Sequence, residues 1–269
     1  MNVHSSFDYQ NLGAIRVRAQ REVATSSADH RIPWGTRRDN SRNRRFNQKL
    51  YKLFAPQKGP LRVLDLGCSG GGFVKDCLDD GCIAVGLEGS DFSKKFRRAE
   101  WRTIPEFLFT SDITAPFHIE GEFHGSFSAI RFDVITSWEV MEHIADADLP
   151  QVVKNVLEHL EEGGLWIMSV SPHPDIVEGV NLHQTIQGKE WWVQRLAGLG
   201  VEHQEKYVRF FNTQFIRGPK YNAPGSFHLI VTRGGKGPEI PAENLCIKAY
   251  DRWLGCRGQK ILKLALLGV

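Results

Sequence analysis

Hydrophobic positions along the chain change period several times, and those changes mark out its elements. Phe46, Leu50, Tyr51 and Phe54 recur at helical spacing and predict a short amphipathic helix, ended by Gln57-Lys58-Gly59-Pro60. Leu61 to Leu66 is a compact apolar run closing in glycines, the pattern of a buried strand. Phe73, Val74, Cys77 and Leu78 share a helical face, with Gly81 placed to end that helix. Ile83 to Leu87, Phe107 to Thr110 and Phe132 to Ser137 predict three more strands. Val152, Val153, Val156, Leu157 and Leu160 mark a helix that starts near Pro150 and stops before Gly163. Leu165 to Val170 reads as a strand and Trp191 to Leu199 as a helix ending at Gly200. Tyr207 to Phe211 and Phe227 to Thr232 read as a closing pair of strands with a short connection.

This alternation predicts an α/β fold, with a seven-stranded, mostly parallel sheet, helices on both faces and an antiparallel hairpin at one edge. Residues 46–233 hold that pattern. Residues 1–45 are polar, basic and weakly periodic and read as a loose N-terminal arm, and residues 234–269, which open on Gly234-Gly235-Lys236-Gly237-Pro238, read as a partly helical tail. There is no internal repeat.

Composition narrows the class. Of 269 residues, 41% are apolar and 24% charged, which excludes a disordered chain, a fibre and a small disulfide scaffold. No run approaches the roughly 18 apolar residues that span a bilayer, and the start lacks a basic stretch followed by an apolar one, so the expectation is a cytoplasmic protein away from membranes. Five cysteines with no CxxC pair argue against a zinc ribbon or a full disulfide framework. The net charge of +3 is uneven: residues 1–58 carry 12 Lys/Arg against 4 Asp/Glu, and the rest carry 22 against 27. Five arginines fall within residues 37–45, a run that either stays solvated or holds phosphate, including that of nucleic acid.

The candidate chemistry begins at Val63-Leu64-Asp65-Leu66-Gly67-Cys68-Ser69-Gly70-Gly71-Gly72, a strand running into a glycine turn that opens a helix. Gly67, Ser69 and Gly71 stand where the backbone comes close to a ligand. Asp65 opposes a pyrophosphate there and suits a cationic or zwitterionic group. Glu88 ends the second strand, where a carboxylate takes both ribose hydroxyls through charge-assisted bonds of about 1.5–3 kcal/mol each. Asp112, after the third strand, is placed to accept from an adenine amino group.

The run VLDLGCSGGG, Glu88, Ser111-Asp112-Ile113 and Phe132-Asp133-Val134-Ile135-Thr136-Ser137-Trp138-Glu139-Val140 together resemble class I S-adenosylmethionine-dependent methyltransferases. The likeness covers about residues 46–233 and keeps the order of the motifs; within the class it is nearest to the ubiquinone-type O-methyltransferase and methyltransferase type 11, 12 and 23 group. It implies a Rossmann-like fold and S-adenosylmethionine as cofactor. The methionine part would lie at Asp65, Gly67, Ser69 and Gly71, the ribose at Glu88, and the adenine at Asp112 and Ile113, with Trp138 beside them. Ser69 stands where a glycine is usual. The same turn also matches G-x-S-x-G, the nucleophile elbow of α/β-hydrolases, but that reading places the elbow on the first strong strand and leaves Glu88 and Asp112 without a use.

Methyl transfer to a hydroxyl needs alignment and removal of a proton. Glu139, Glu142 and His143 lie at i, i+3 and i+4 and share a face if the segment is helical; His183 follows the fifth strand and can return to the same rim. His143, Glu139 and His183 are therefore the candidate catalytic groups. Glu139, Glu142, His143 and His183 are also a candidate set for a divalent metal (Mg²⁺, Mn²⁺, Fe²⁺ or Zn²⁺), and their pattern is similar to that of methyltransferases acting on catechol-like rings or on the terminal ribose of small RNAs. His173, between two prolines, and Trp191-Trp192 are candidates for the acceptor wall. The expected activity is O-methylation of a small-molecule or sugar-like acceptor. The alternatives are an RNA methyltransferase that uses the basic arm, and a catalytically silent module that binds S-adenosylmethionine and a protein.

Overall fold

Alternation within the buried strands decides what each face of the sheet packs against. The computed structural model describes residues 12–253 apart from 58 and 220–222; the start of the arm, the end of the tail and Cys256 lie outside the described residues. In chain order the first elements are β1 (Leu12–Ala19), α1 (Ala28–Arg31), α2 (Trp34–Arg38), α3 (Arg44–Phe54), β2 (Arg62–Leu66), α4 (Gly72–Asp79), β3 (Ile83–Glu88), α5 (Phe92–Lys95) and β4 (Leu108–Thr110). Then come β5 (Phe117–Phe123), β6 (Ser126–Ala129), β7 (Phe132–Trp138), α6 (Leu149–His159), β8 (Leu160–Val170), β9 (Ile176–Val177) and β10 (Val180–Asn181). The last are α7 (Lys189–Gly198), β11 (Val201–His203), α8 (Glu205–Phe211), β12 (Phe227–Arg233) and α9 (Leu245–Trp253).

The main sheet has seven strands in the order β11-β12-β8-β7-β2-β3-β4. β2, β3, β4, β7 and β8 run parallel, while β12 is antiparallel to β8 and β11 antiparallel to β12. Leu64, Leu66, Ile135, Trp166 and Met168 point to the face covered by α6, α7 and β5. Val63, Val134, Leu165 and Ile167 point to the other, covered by α3, α4 and α8. This is the expected α/β sheet with its antiparallel edge. Its carboxyl ends form one rim, with Glu88 level with Thr110 and Trp138 level with Ser169.

Two expectations change. Tyr207 to Phe211 is helix α8, and the edge partner of β12 is β11 instead. Tyr207, Phe210 and Phe211, all buried, stand at i, i+3 and i+4, a spacing that an α-helix gathers on one face and a strand does not. The supposedly loose arm is also folded from residue 12 onward: β1 pairs with β5 in a separate three-stranded sheet, β1-β5-β6, where Arg16 and Arg18 both hold Glu120. Its arginine run is largely spent on internal contacts. Arg42 bonds Asp76 and Glu100, Arg44 lies 3.7 Å from Asp80, Arg37 and Arg38 lie over Phe92 and Trp34, and Arg45 bonds Asp251. The domain's acids are thus the partners of the arm's bases.

Near the C-terminal end of the described chain, α9 docks on α3 through a buried ion cluster. Lys49 is 2% exposed and its Nζ lies 2.7 Å from Glu243 and 3.0 Å from Asp251, which Arg45 also holds at 2.7 Å. Burial alone raises the Asp251 carboxyl, but hydrogen bonds from Arg45 and Lys49 outweigh it and set its pKa below the ordinary value. A lowered native pKa gives stability that is full above the unfolded value of about 3.9 and is lost as pH falls through the native one. Asp251→Asn, which takes a carboxylate from the buried Lys49 and from Arg45, is therefore expected to cost about 3 kcal/mol at pH 7 in urea unfolding, and the gap to the unaltered chain should narrow as pH drops from about 5 towards 3.

Candidate functional site

Gly67 and Ser69, with φ of +74° and +49°, bend the chain sharply out of β2, and Gly71, at +82°, opens α4. A side chain at Gly67 would run into Val140, and one at Gly71 into Leu108, so both glycines are dictated by conformation and by room. Asp65 lies beneath this turn and off the cavity wall. It accepts from the Thr136 hydroxyl at 2.6 Å, and burial, only partly offset by that bond, pushes its pKa up to about 8.

Above the turn, at the carboxyl rim of β2, β3 and β7, lies a cavity of about 670 Å³. That is within the range of ligand sites, about 300–1,000 Å³. Of the candidate residues, Gly67, Ser69, Glu88, Asp112, Ile113, Trp138, Glu139, His143, His173 and His183 line it, while Asp65, Gly71 and Glu142 stand behind the wall. Trp191 and Trp192 are not part of it, and Trp192 is wholly buried in the core, where their helical spacing beside Leu196 puts them.

Glu88 is tied to three segments of the chain. One carboxylate oxygen accepts from the Ser69 amide at 2.8 Å and the other from the Ser90 amide at 3.0 Å, with the Thr36 hydroxyl at 3.5 Å. Burial raises its pKa against those bonds. The Asp112 carboxylate is held by Arg21 at 3.0 Å and by the Thr114 amide and hydroxyl at 2.9 and 2.7 Å. The Ser69 hydroxyl lies against the carbonyls of Thr36 and Asp39 and the Arg98 guanidinium. Among the described residues no histidine is a partner of this hydroxyl, which leaves the nucleophile-elbow reading without its base.

At the other end, the expected helical face of Glu139, Glu142 and His143 does not form. Glu139 takes φ +55°, and only a short 3₁₀ turn, Met141–His143, follows. Glu139 turns instead to Ser226, whose hydroxyl donates to it at 2.8 Å. Glu142, His143 and His183 do converge, their ligand-type atoms within 4.8 Å of one another. The Glu142 carbonyl accepts from the Gln184 and Thr185 amides at 2.8 and 2.9 Å, which fastens the His183 loop to the turn. One Glu142 oxygen accepts from the Ser171 amide at 2.8 Å while the other is buried without a partner, as is one Glu139 oxygen. Burial, with Glu139 adding to it, pushes the Glu142 pKa up to about 8.

His143 Nδ1 lies 2.7 Å from Asp29 and 3.2 Å from the Leu182 carbonyl. Burial pulls this imidazole down, yet the Asp29 hydrogen bond and charge carry its pKa up to about 9. His183 differs: its Nδ1 donates to the His173 carbonyl at 2.5 Å, and burial and the neighbouring His143 lower its pKa. It is therefore neutral at pH 7, with a free lone pair on Nε2. Asp29, Thr36 and Asp39 belong to the segment expected to be loose, and Arg217 and Ser226 come from beyond β11; all five line the cavity. The one local signal for Asp29 is Ser27 as a helix cap two residues before it.

A model of the methyltransferase domain family matches residues 38–217. A ubiquinone biosynthesis O-methyltransferase of Chelativorans sp. (strain BNC1) is 28% identical over 109 residues, which is 40% of this chain and 40% of that protein's length. Among solved structures, an S-adenosylmethionine-dependent methyltransferase from Clostridium acetobutylicum ATCC 824 superposes with a TM-score of 0.50 at 14% identity, over 72% of this chain and 93% of the other. That last likeness is one of fold.

The turn itself can be tested without any ligand. Gly67→Ala should lower stability by about 1–2 kcal/mol from the left-handed backbone alone, and further through the Val140 contact, whereas Gly81→Ala, with the same hand (φ +86°) and open space, should pay only the first cost. Urea midpoints of the two variants check this.

Proposed function

The chain belongs to the methyltransferase domain family and works with S-adenosylmethionine, and on that premise we propose that it methylates a hydroxyl oxygen of a small-molecule or sugar-like acceptor. The observation that carries this reading is that one cavity joins Glu88 to His143 and His183, with Glu142 close behind them. Glu88 takes the ribose hydroxyls, the Gly67–Ser69 turn passes the methionine part, and Asp112 and Ile113 stand at the adenine.

In the reaction, a new oxygen–carbon bond forms as the carbon–sulfur bond breaks, the sulfonium becomes a neutral thioether, and the acceptor's proton must leave. His183 receives it on Nε2, because its Nδ1–H is committed to the His173 carbonyl. His143, held through Nδ1, presents its other nitrogen to the same space. The cluster also fits a divalent cation. Once Glu142 and His143 have given up their protons it offers one carboxylate and two imidazoles, and a Glu142 oxygen has no hydrogen-bond partner among the described residues, a donor set suited to Mn²⁺, Fe²⁺, Zn²⁺ or Mg²⁺. Glu142, His143 and His183 would hold the ion, which when bound would make a nearby hydroxyl more acidic in place of proton transfer to His183, whose single Nε2 lone pair serves one role or the other. Glu139, turned to Ser226, is not in that set.

Two measurements test the reading. Calorimetric titration of the metal-stripped protein with S-adenosylhomocysteine should give micromolar binding that weakens tenfold or more in Glu88→Ala; no binding by the unaltered chain would remove the cofactor assignment. In a screen of hydroxylated acceptors with and without Mg²⁺, His183→Gln should lose 10²- to 10⁴-fold in kcat while binding S-adenosylhomocysteine within about twofold of the unaltered chain. Full kcat in that variant would take the proton-accepting role from His183.

A further inference from the structure

The Asp29–His143 contact joins parts of the chain that have no neighbourhood in sequence. Asp29 sits in the first turn of α1, before the segment that matches the methyltransferase domain, which begins at residue 38. Its carboxylate lies 2.7 Å from His143 Nδ1, with the two side chains 29% and 19% exposed. The Leu182 carbonyl is also within reach of that nitrogen, at 3.2 Å. A carbonyl and a carboxylate only accept, so Nδ1 carries the hydrogen and Nε2 is the nitrogen left facing the cavity.

The element that brings Asp29 here is itself docked. Ala28 and Ile32 pack on Val177 and Leu182 in a small apolar cluster separate from the two cores. Val177 belongs to the β9–β10 hairpin and Leu182 immediately precedes His183. Ala24 is bonded to Gly89, and the Thr36 and Asp39 carbonyls to Ser69. The strap of residues 24–39 thus lies over the cavity from the cofactor turn to the histidines.

We propose that Asp29 is a positioning residue of the reaction site: delivered by the strap, its carboxylate fixes the His143 ring with hydrogen on Nδ1 and Nε2 turned to the reacting end of the cavity. A carboxylate behind an imidazole is a general device for setting tautomer and orientation, whether the other nitrogen meets a proton or a metal. The inference rests on the methyltransferase reading for what the site does, but the ring geometry it asserts is independent of turnover. In this role Asp29 acts through His143.

The test is nitrogen-15 NMR of histidine side chains in the full-length, metal-free protein with S-adenosylhomocysteine present. His159, whose Nδ1 faces the Asn155 carbonyl, and His228, whose Nε2 faces the Arg217 carbonyl, serve as internal references. The unaltered chain should show a slowly exchanging Nδ1 proton on His143. Asp29→Ala should abolish it, Asp29→Asn should restore most of it through its amide oxygen, and Val177→Asp, which undocks the strap without touching Asp29, should abolish it too. The references should not move, and S-adenosylhomocysteine should bind within about threefold in Asp29→Ala. An unchanged His143 signal in Asp29→Ala would overturn the proposal, leaving the Leu182 carbonyl to hold the ring. If the unaltered chain binds no S-adenosylhomocysteine, the cofactor assignment fails while the His143 signal still decides the role of Asp29.

Discussion

One buried carboxylate at the end of β3 holds the site together. Glu88 is out of water, where an unpaired charge costs several kcal/mol, so the groups around it are obliged to supply donors. Those donors are the Ser69 amide, from the turn after β2, the Ser90 amide, from the turn after β3, and the Thr36 hydroxyl, from the strap. Three separate segments are thereby fixed to one another by one side chain. The same bond accounts for the backbone at Ser69. A left-handed conformation costs a non-glycine residue about 1–2 kcal/mol, and here it aims the amide at Glu88 while the hydroxyl reaches the strap carbonyls. Where ordinary sequences of this pattern have glycine, a serine is tolerable because its hydroxyl has work on the strap side.

Charge follows the same economy of internal pairing. The basic excess before residue 58 and the acidic excess after it are halves of one set of contacts. Exposed pairs such as Arg44–Asp80 are each worth about 0–1 kcal/mol and set little. The buried ones are different. Lys49 and Asp251 cannot part without leaving a charge in the interior, so they fix where α9 lies on α3. A steep electrostatic attraction to phosphate needs arginines that are free, and Arg42 and Arg45 are already engaged by carboxylates.

What could be read from the sequence was what local pattern determines. A central parallel strand is a continuous apolar run, so Leu61 to Leu66 and Phe132 to Ser137 declared themselves, and Glu88 and Asp112, read at consecutive strand ends, both lie on the cavity wall. The strands of the small sheet also carry a signal: Phe117-His118-Ile119-Glu120-Gly121-Glu122-Phe123 alternates strictly, and Ile15-Arg16-Val17-Arg18-Ala19 does so amid a charge excess that suggests solvation. Glu139, Glu142 and His143 were legible as a group, but not their arrangement. Their spacing makes a shared face only if the backbone is α-helical, and the positive φ of Glu139 sends its side chain to Ser226. Asp29 and Arg217 reach the cavity through tertiary packing alone, and no local pattern encodes that.

The strap raises a question of access that the packing answers. S-adenosylmethionine must reach Glu88 and the glycine turn, yet residues 24–39 lie across them. The strap is held by a small apolar cluster, Ala28 and Ile32 on Val177 and Leu182, and otherwise by polar contacts: Ala24 to Gly89, Thr36 to Glu88, Asp39 to Ser69 and Arg217, and Asp29 to His143. Both main cores, by contrast, are built on the sheet and its helices. Segments with few buried apolar contacts open at a small fraction of the global unfolding free energy, so the strap can lift while the sheet stays intact. The stretch that covers the cofactor turn, with Thr36 at Glu88 and Asp39 at Ser69, is the same stretch that sets Asp29 against His143, so both ends of the cavity depend on where one segment of chain lies.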